Sequence, residues 1–299
     1  MIIVTGGAGF IGANLVKKIN KSFSSDVIVV DNIKKNTKNI NSIKFKDYYD
    51  KDEFSSLIEK NKIKTKIKSI IHLGACTNTT ENNWDYLNYN NIIYTKKLYE
   101  FSLSKNCQFI YASSASIYGK KSGAGAINNF NYKPLNLYGK SKFELDKYFF
   151  KKSNKKVLSL RFFNVYGNLE YHKKDMRSPV SKFLDQLAKK KYIKLFKLSK
   201  EPSRDFIHVN DAINMIFFLK KKVFKGIFNI GTGNSETFLN IAKLIIQKKK
   251  YGEIRYINMP EELRNKYQFY TKANISFFKR IKYKKKLLNL KTGIDLILR

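Results

Sequence analysis

The chain has 299 residues, and its 59 Lys+Arg against 23 Asp+Glu give a formal net charge of +36. A hydrophobic content of 43%, with 14% aromatic residues, excludes a disordered chain. No apolar run approaches the roughly 20 residues that a membrane span needs.

In chain order, the first strand is expected at 2–5, entered directly from Met1 without a basic signal-peptide region, so the expectation is a cytoplasmic protein with no membrane partner. A helix near 11–20 follows, then a strand at 26–31, a helix near 53–60, a strand at 69–75, a helix near 85–104, a strand at 108–113, a helix near 136–152 and a strand at 157–163. This alternation predicts an α/β fold, a doubly wound parallel sheet of the Rossmann kind covered by helices on both faces. After about residue 165 the rhythm becomes irregular, with a helix near 178–190, a strand at 227–230 and a helix near 237–249. The expected division is a dinucleotide-binding part, 1–166 with 205–230, and a smaller mixed α/β substrate-binding lobe, 167–204 with 231–299. Lys runs at 189–191, 220–222, 248–250 and 284–286 close amphipathic stretches, where cations suit the helix dipole. Only seven of the basic residues are Arg, leaving 52 Lys in a chain rich in Asn, Ile, Phe and Tyr, and all of these but Arg use A/T-rich codons. Compositional drift thus accounts for the charge as well as a polyanionic partner would, and nucleic acid is not an expected partner. Cys76 and Cys107 form no CxxC, and His72, His172 and His208 no HExxH, so no disulfide or metal site is expected.

Two motifs carry chemistry. Thr5-Gly6-Gly7-Ala8-Gly9-Phe10-Ile11-Gly12 lies between a strand and a helix, and its Gly7, Gly9 and Gly12 satisfy GxGxxG, which lets the backbone approach a pyrophosphate at a helix N-terminus. Asp31, at the end of the next apolar strand, stands where a ribose hydroxyl is read. Asp31 alone favours NAD, whereas Asn32 and Lys38 offer a 2′-phosphate a donor and a cation, so these residues leave NAD and NADP both open. Tyr138 and Lys142 share a helix face, where an ammonium lowers a phenol pKa and favours proton abstraction. Ser113, Ser114 and Ser116 follow the fourth apolar strand, at the sheet edge where α/β folds bind ligands.

With these residues the chain resembles the extended short-chain dehydrogenase/reductase superfamily, which combines a TGGAGFIG start, a Ser after the fourth strand and a YxxxK helix, and mostly acts on nucleotide-linked sugars. Ser114-Ala115-Ser116 stands where the dehydratases of that superfamily carry Thr-Asp-Glu, which argues against elimination of water. Gly74-Ala75-Cys76-Thr77-Asn78-Thr79-Thr80-Glu81, Arg161-Phe162-Phe163-Asn164-Val165-Tyr166-Gly167, His172-Lys173, Arg204-Asp205-Phe206 and Lys266-Tyr267-Gln268 are similar to the ADP-L-glycero-D-manno-heptose 6-epimerase family over nearly the whole length. The resemblance implies an isomerase that inverts C6 of the heptose in ADP-D-glycero-D-manno-heptose by transient oxidation with tightly bound NADP, for the lipopolysaccharide inner core, in a homo-oligomer.

Carried over by that resemblance, the catalytic residues are Tyr138, Lys173, Lys142 and Ser114. The cofactor site comprises Gly6, Gly9, Phe10, Ile11, Gly12, Asp31, Asn32, Lys38, Lys51, Leu73, Gly74, Ala75, Cys76, Thr77, Asn90, Lys142, Val165 and Lys173. The substrate site comprises Ser114, Asn164, Asp175, Lys182, Phe196, Lys197, Leu198, Ser199, Arg204 and Tyr267. Arg204 suits a diphosphate through its two-pronged guanidinium, while the Arg204-Asp205 pair is equally readable as an internal salt bridge. Three positions depart from the family: Lys174-Asp175 in place of Gly-Ser, Lys182 in place of a His, and Leu73 in place of an acidic residue. The alternatives are a nucleotide-sugar epimerase of another specificity, such as a UDP-hexose 4-epimerase, and more distantly a basic nucleic-acid-binding protein.

Overall fold

The computed structural model describes residues 1–298 except 23–24, 33–36, 122, 124–126, 128–129, 153–155, 199–200, 223–224 and 265–266. Seven parallel strands form the central sheet: β1 (Ile2–Thr5), β2 (Val27–Asp31), β3 (Asp47–Asp50), β4 (Ser69–His72), β5 (Gln108–Ser114), β6 (Val157–Phe162) and β7 (Gly226–Ile230). Their spatial order is β3-β2-β1-β4-β5-β6-β7. The strands are short, and the inner ones are buried on both faces, so successive side chains enter opposite cores. Val4, Val29, Ile71, Ile110 and Leu158 face the helices Phe10–Ser22 and Val209–Lys222. Ile3, Ile28, Ile70, Phe109 and Val157 face Lys51–Glu59, Tyr94–Ser104 and Leu137–Lys151. The chain winds outward in both directions from β1 and β4, so a crevice opens at their carboxyl ends, where such sheets bind ligands.

Two features depart from the sequence expectation. Asp47-Tyr48-Tyr49-Asp50 has the charged ends that edge strands use against aggregation, and it was read as no strand at all. The strand carrying the serines is consequently the fifth in the chain and not the fourth. The expected helix at 85–104 is interrupted by a π-helical turn at Asn88–Ile93 between Trp84–Leu87 and Tyr94–Ser104, a distortion that turns Asn90 and Asn91 toward the crevice.

Beyond β6 a third apolar cluster joins the helices Pro179–Lys190, Phe238–Lys249 and Leu290–Leu298 to the strand Tyr192–Phe196, which pairs in parallel with Glu253–Ile257. Short pairings link this cluster to the crevice. Asn164–Tyr166 runs parallel to Phe206–His208, and Ser203–Arg204 is antiparallel to Glu236–Thr237. Helix starts are set by side-chain caps: Asn136 accepts from Gly139 N, and Ser178 accepts from Ser181 N with Pro179 at the first helical position.

Candidate active site

Backbone meets backbone at the floor of the crevice. Gly6 has φ +68°, and a Cβ there would lie 2.6 Å from Gly74 N; a Cβ on Gly12 would lie 2.0 Å from Gly6 O. Only glycine permits this approach, and the cradle it leaves fits a pyrophosphate. The helix opening at Phe10 has no acid in its first turn, so its positive dipole end faces no competing carboxylate. Asp31 Oδ2 accepts from Ala8 N at 2.9 Å and its Oδ1 from Asn32 N at 2.7 Å, tying the end of β2 to the glycine loop. Lys51 Nζ donates to Asn90 Oδ1 at 2.7 Å, joining two expected cofactor residues from different elements. Leu73, Gly74, Ala75, Cys76 and Thr77 form the loop leaving β4, where Cys76 N donates to Asn91 Oδ1 at 2.8 Å. Ile11, Leu73 and Val165 pack against the sheet core below the crevice. The side chain of Lys38 and residue Ser199 lie outside the described residues.

The carboxyl end of β5 supplies the next layer. Ser114 caps the 3-10 turn Ala115–Tyr118, its Oγ accepting from Ser116 Oγ at 3.0 Å. Burial pushes the Tyr138 pKa up and the Ser114 hydrogen bond pulls it back, with Cys76 adding to the rise. Lys142 stands one turn on, its Nζ 3.0 Å from Ala112 O and 5.9 Å from the Tyr138 ring centre. The expected depression of the phenol by this ammonium is not what the geometry delivers; Lys142 is committed to the Ala112 carbonyl. Burial pulls Lys142 itself down to about 8, against the opposing charge of Asp146. Asp146 is in turn fully engaged, accepting from Arg161 Nε (2.6 Å), Tyr111 OH (2.7 Å) and Ser159 Oγ (2.7 Å). The Arg of the Arg-Phe-Phe-Asn motif is therefore a core residue under the helix that bears Tyr138 and Lys142.

The segment 167–178 carries Lys173 back over the start of the first helix, with its Nζ 5.6 Å from the Phe10 ring centre. Burial lowers the Lys173 pKa, Glu170 opposes the fall and Lys182 adds to it, which favours the neutral amine a base requires. Burial likewise lowers Lys182, against Asp175, which is itself exposed. On the far wall Arg204 is 8% exposed, its Nη1 has no hydrogen-bond partner among the described residues, and its guanidinium lies 5.1 Å from the Tyr267 ring centre. The internal salt bridge is not formed: Asp205 accepts from Thr232 N, Thr232 Oγ1, Gly233 N and Ala273 N instead. Tyr267 packs edge-on to Phe196, and Asn164 Nδ2 donates to Asp205 O at 3.1 Å. Gln268 Nε2 donates to Gly119 O at 2.8 Å, fastening this wall to the turn after β5. Lys197 is exposed beyond Phe196, with Leu198 half-buried after it.

A family model described as the NAD dependent epimerase/dehydratase family matches residues 2–231. The chain belongs to that family. Within it, the ADP-L-glycero-D-manno-heptose-6-epimerase of Brachyspira hyodysenteriae is 41% identical over 98% of this chain and 95% of its own length, and that of Alkalilimnicola ehrlichii is 42% identical over 92% and 89%. At that identity and coverage this epimerase/dehydratase protein belongs with the ADP-L-glycero-D-manno-heptose-6-epimerases. The crystal structure of the Helicobacter pylori ADP-L-glycero-D-manno-heptose-6-epimerase superimposes with a TM-score of 0.88 at 27% identity, over 99% of this chain and 94% of that one. The Thermotoga maritima UDP-glucose 4-epimerase, at 24% identity and a TM-score of 0.84 over 99% of this chain and 97% of that one, shares the fold. The family's description makes a nicotinamide dinucleotide the cofactor, in keeping with the glycine cradle.

Two polar residues in this epimerase's site were not singled out from sequence. Asn91 is fully buried, and its amide bridges Cys76 N, Cys76 O and Ser141 Oγ, so it clasps the β4 loop to the helix Leu137–Lys151 beside Tyr138. Its signal was the cluster Asn88, Asn90 and Asn91 in the middle of an expected helix. Glu170 is 2% exposed and spans the segment that bears Lys173. An acid among the few in a +36 chain, three residues ahead of the loop Lys, was the available signal.

Proposed function

We propose that this protein inverts C6 of the heptose in ADP-D-glycero-D-manno-heptose, giving the L-glycero epimer used for the lipopolysaccharide inner core, and does so with a resident NADP. The observation that carries the reading is the placement of two bases on separate elements, Tyr138 on the helix beside β5 and Lys173 on the loop over Phe10. The nicotinamide of a dinucleotide held in the glycine cradle would supply the transient oxidation of C6. Ser114 orients the C6 oxygen toward Tyr138, which removes the hydroxyl proton of one epimer. Lys173, whose amine is biased toward neutrality by burial, serves the hydroxyl of the other. Arg204, buried with an unfilled donor, takes the diphosphate. The choice of NADP rests on the family resemblance; Asn32 and Lys38 are compatible with it as a donor and a cation for the 2′-phosphate, while Asp31 alone suits NAD.

Residues 1–166 with 205–230 form the cofactor part, and 167–204 with 231–299 the substrate lobe. Among the described residues no helix is long and apolar enough to cross a membrane. A cytoplasmic homo-oligomer acting on a nucleotide-sugar is the assembly we assign, with light scattering as its check.

The test is to denature the purified protein, identify the released nucleotide, and assay epimerisation across ADP- and UDP-sugars. Release of NADP and turnover of ADP-heptose alone are expected. Release of NAD overturns the cofactor choice, and turnover of UDP-hexoses in place of ADP-heptose overturns the substrate.

A further inference from the structure

We propose that Glu170 is the positioning residue for Lys173, its buried carboxylate clamping the two ends of the 167–178 segment so that the ammonium is held over Phe10. The proposal rests on the reading of Lys173 as the second base. Gly167 N donates to Glu170 Oε1 at 3.0 Å, Ser178 N to Oε2 at 2.6 Å and Ser178 Oγ to Oε1 at 2.8 Å. One side chain thus holds the residue three places before it and the residue eight places after it. Ser178 is also the N-cap of Pro179–Lys190, so the clamp fixes the loop against a rigid helix. The backbone of Glu170 adds a fourth tie, its carbonyl accepting from Lys173 N at 2.9 Å.

Such a clamp is needed because the segment is strained. Leu169 has φ +79° and Lys174 has φ +46°, conformations that non-glycine residues hold only when their surroundings impose them. A buried carboxylate is costly unless hydrogen-bonded, and here all three bonds go to the loop ends; no ion pair to Glu170 forms among the described residues. The clamp also carries negative charge toward the amine it holds, as the opposition of Glu170 to the fall in the Lys173 pKa shows. The charged and titratable groups facing Lys173 are Glu170, Lys182 and the neighbouring His172, and of these only Glu170 favours the ammonium.

The experiment compares Glu170→Gln and Ser178→Ala with the wild type and with Lys173→Met. Each holoenzyme is reacted with a limiting amine-acylating reagent across pH, and modification of the Lys173 peptide is read by mass spectrometry. The expected result for Glu170→Gln is a labelling midpoint shifted to lower pH, because a negative charge beside the amine is gone. Epimerisation should fall by roughly 10-fold in kcat with KM within about twofold, and the loss should fall on the epimer served by Lys173. Ser178→Ala keeps the charge and should leave the midpoint in place while costing a smaller loss in the same direction. It remains readable if the Gln variant does not fold. An unmoved midpoint in Glu170→Gln, or equal losses toward both epimers in either variant, overturns the proposal. Full activity of Lys173→Met overturns instead the reading on which it rests, and the labelling result separates the two failures.

Discussion

The two loops that meet over the crevice hold their shapes by opposite means. Four of the eight residues in the loop at 5–12 are glycine, and its geometry is enforced by exclusion, since a methyl group at Gly6 or Gly12 would run into main chain. The segment at 167–178 contains one glycine, at Gly167, and keeps two ordinary residues at positive φ by tying its ends to a buried carboxylate. The first arrangement tolerates nothing added at Gly6 or Gly12, and the second depends on the Glu170 side chain that ties its ends. Cradling a pyrophosphate needs a surface without side chains, while presenting an amine needs a side chain held at a fixed height.

The largest effect is expected where the exclusion is tightest. Gly12→Ala places a methyl 2.0 Å from Gly6 O, a main-chain atom with no freedom to withdraw. The purified variant should release no dinucleotide on denaturation and show no epimerisation. A variant that retained stoichiometric cofactor would show that the glycine loop is not the cradle.

Next in size are the two residues proposed as bases. Tyr138→Phe and Lys173→Met should each reduce epimerisation by roughly 10²–10⁴-fold while leaving the cofactor bound. Each should still exchange hydride with one C6 epimer better than with the other, since one base survives. Equal loss toward both epimers in both variants would reduce one of the two residues to a positioning group.

How far the sequence could be read follows the same contrast. The glycine loop, Asp31, and the Tyr138–Lys142 helix were legible because their constraints are local: a backbone that admits only glycine, a strand end, a four-residue spacing. The strand Asp47–Asp50 was not legible, because an edge strand is defined by the neighbour it pairs with and its own residues carry turn-like charge. Nor was the π-helical turn that turns Asn91 inward, since a single inserted residue leaves the apolar pattern of the helix nearly intact. The partnership of Arg204 needed tertiary structure to decide. Adjacent opposite charges invite a salt bridge, and only the placement of Thr232, Gly233 and Ala273 around Asp205 shows that the guanidinium is left for something else. Lys142 is the instructive case, for its spacing was right and its electrostatics were not.

That case yields a third expectation. Burial pulls Lys142 to about 8 from 10.5, so carrying its charge into the fold costs on the order of 3 kcal/mol at neutral pH. The hydrogen bond to Ala112 O returns about 1 kcal/mol of this. Lys142→Met should therefore be more stable by about 2 kcal/mol, a rise of about 3 °C in Tm for a chain of this size. The sign with pH is definite. Below about 8 the folded and unfolded states both carry the charge and the penalty is present in full. Between about 8 and 10.5 the folded state sheds the proton first, so the wild type gains on the variant and the gap in stability narrows. A Lys142→Met protein no more stable than wild type at pH 7 would mean that the buried ammonium is compensated by its surroundings.

The smallest effect tests the second loop on its own terms. Lys174 sits at φ +46° and ψ −119°, where the Cβ of an L-residue crowds the flanking main chain, and it occupies the position at which the resembled family carries glycine. Its carbonyl accepts from Arg177 N and Nε, so the kink is used to turn the chain toward the Ser178 cap. Replacing Lys174 by Gly removes a strain of about 1–3 kcal/mol and adds about 0.5–1 kcal/mol of chain entropy to the unfolded state. The expected net gain is about 1 kcal/mol, read as a rise of one to three degrees in Tm with epimerisation unchanged. Lys174→Ala is the necessary control, because alanine keeps the Cβ and should bring no gain. If both variants gain equally, the benefit comes from removing a cation near Lys173 and Lys182, and the loop is not strained at this residue. If Gly alone gains, adding a glycine stabilises one loop of the site at a position where it relieves strain, while removing one at Gly12 destroys the other.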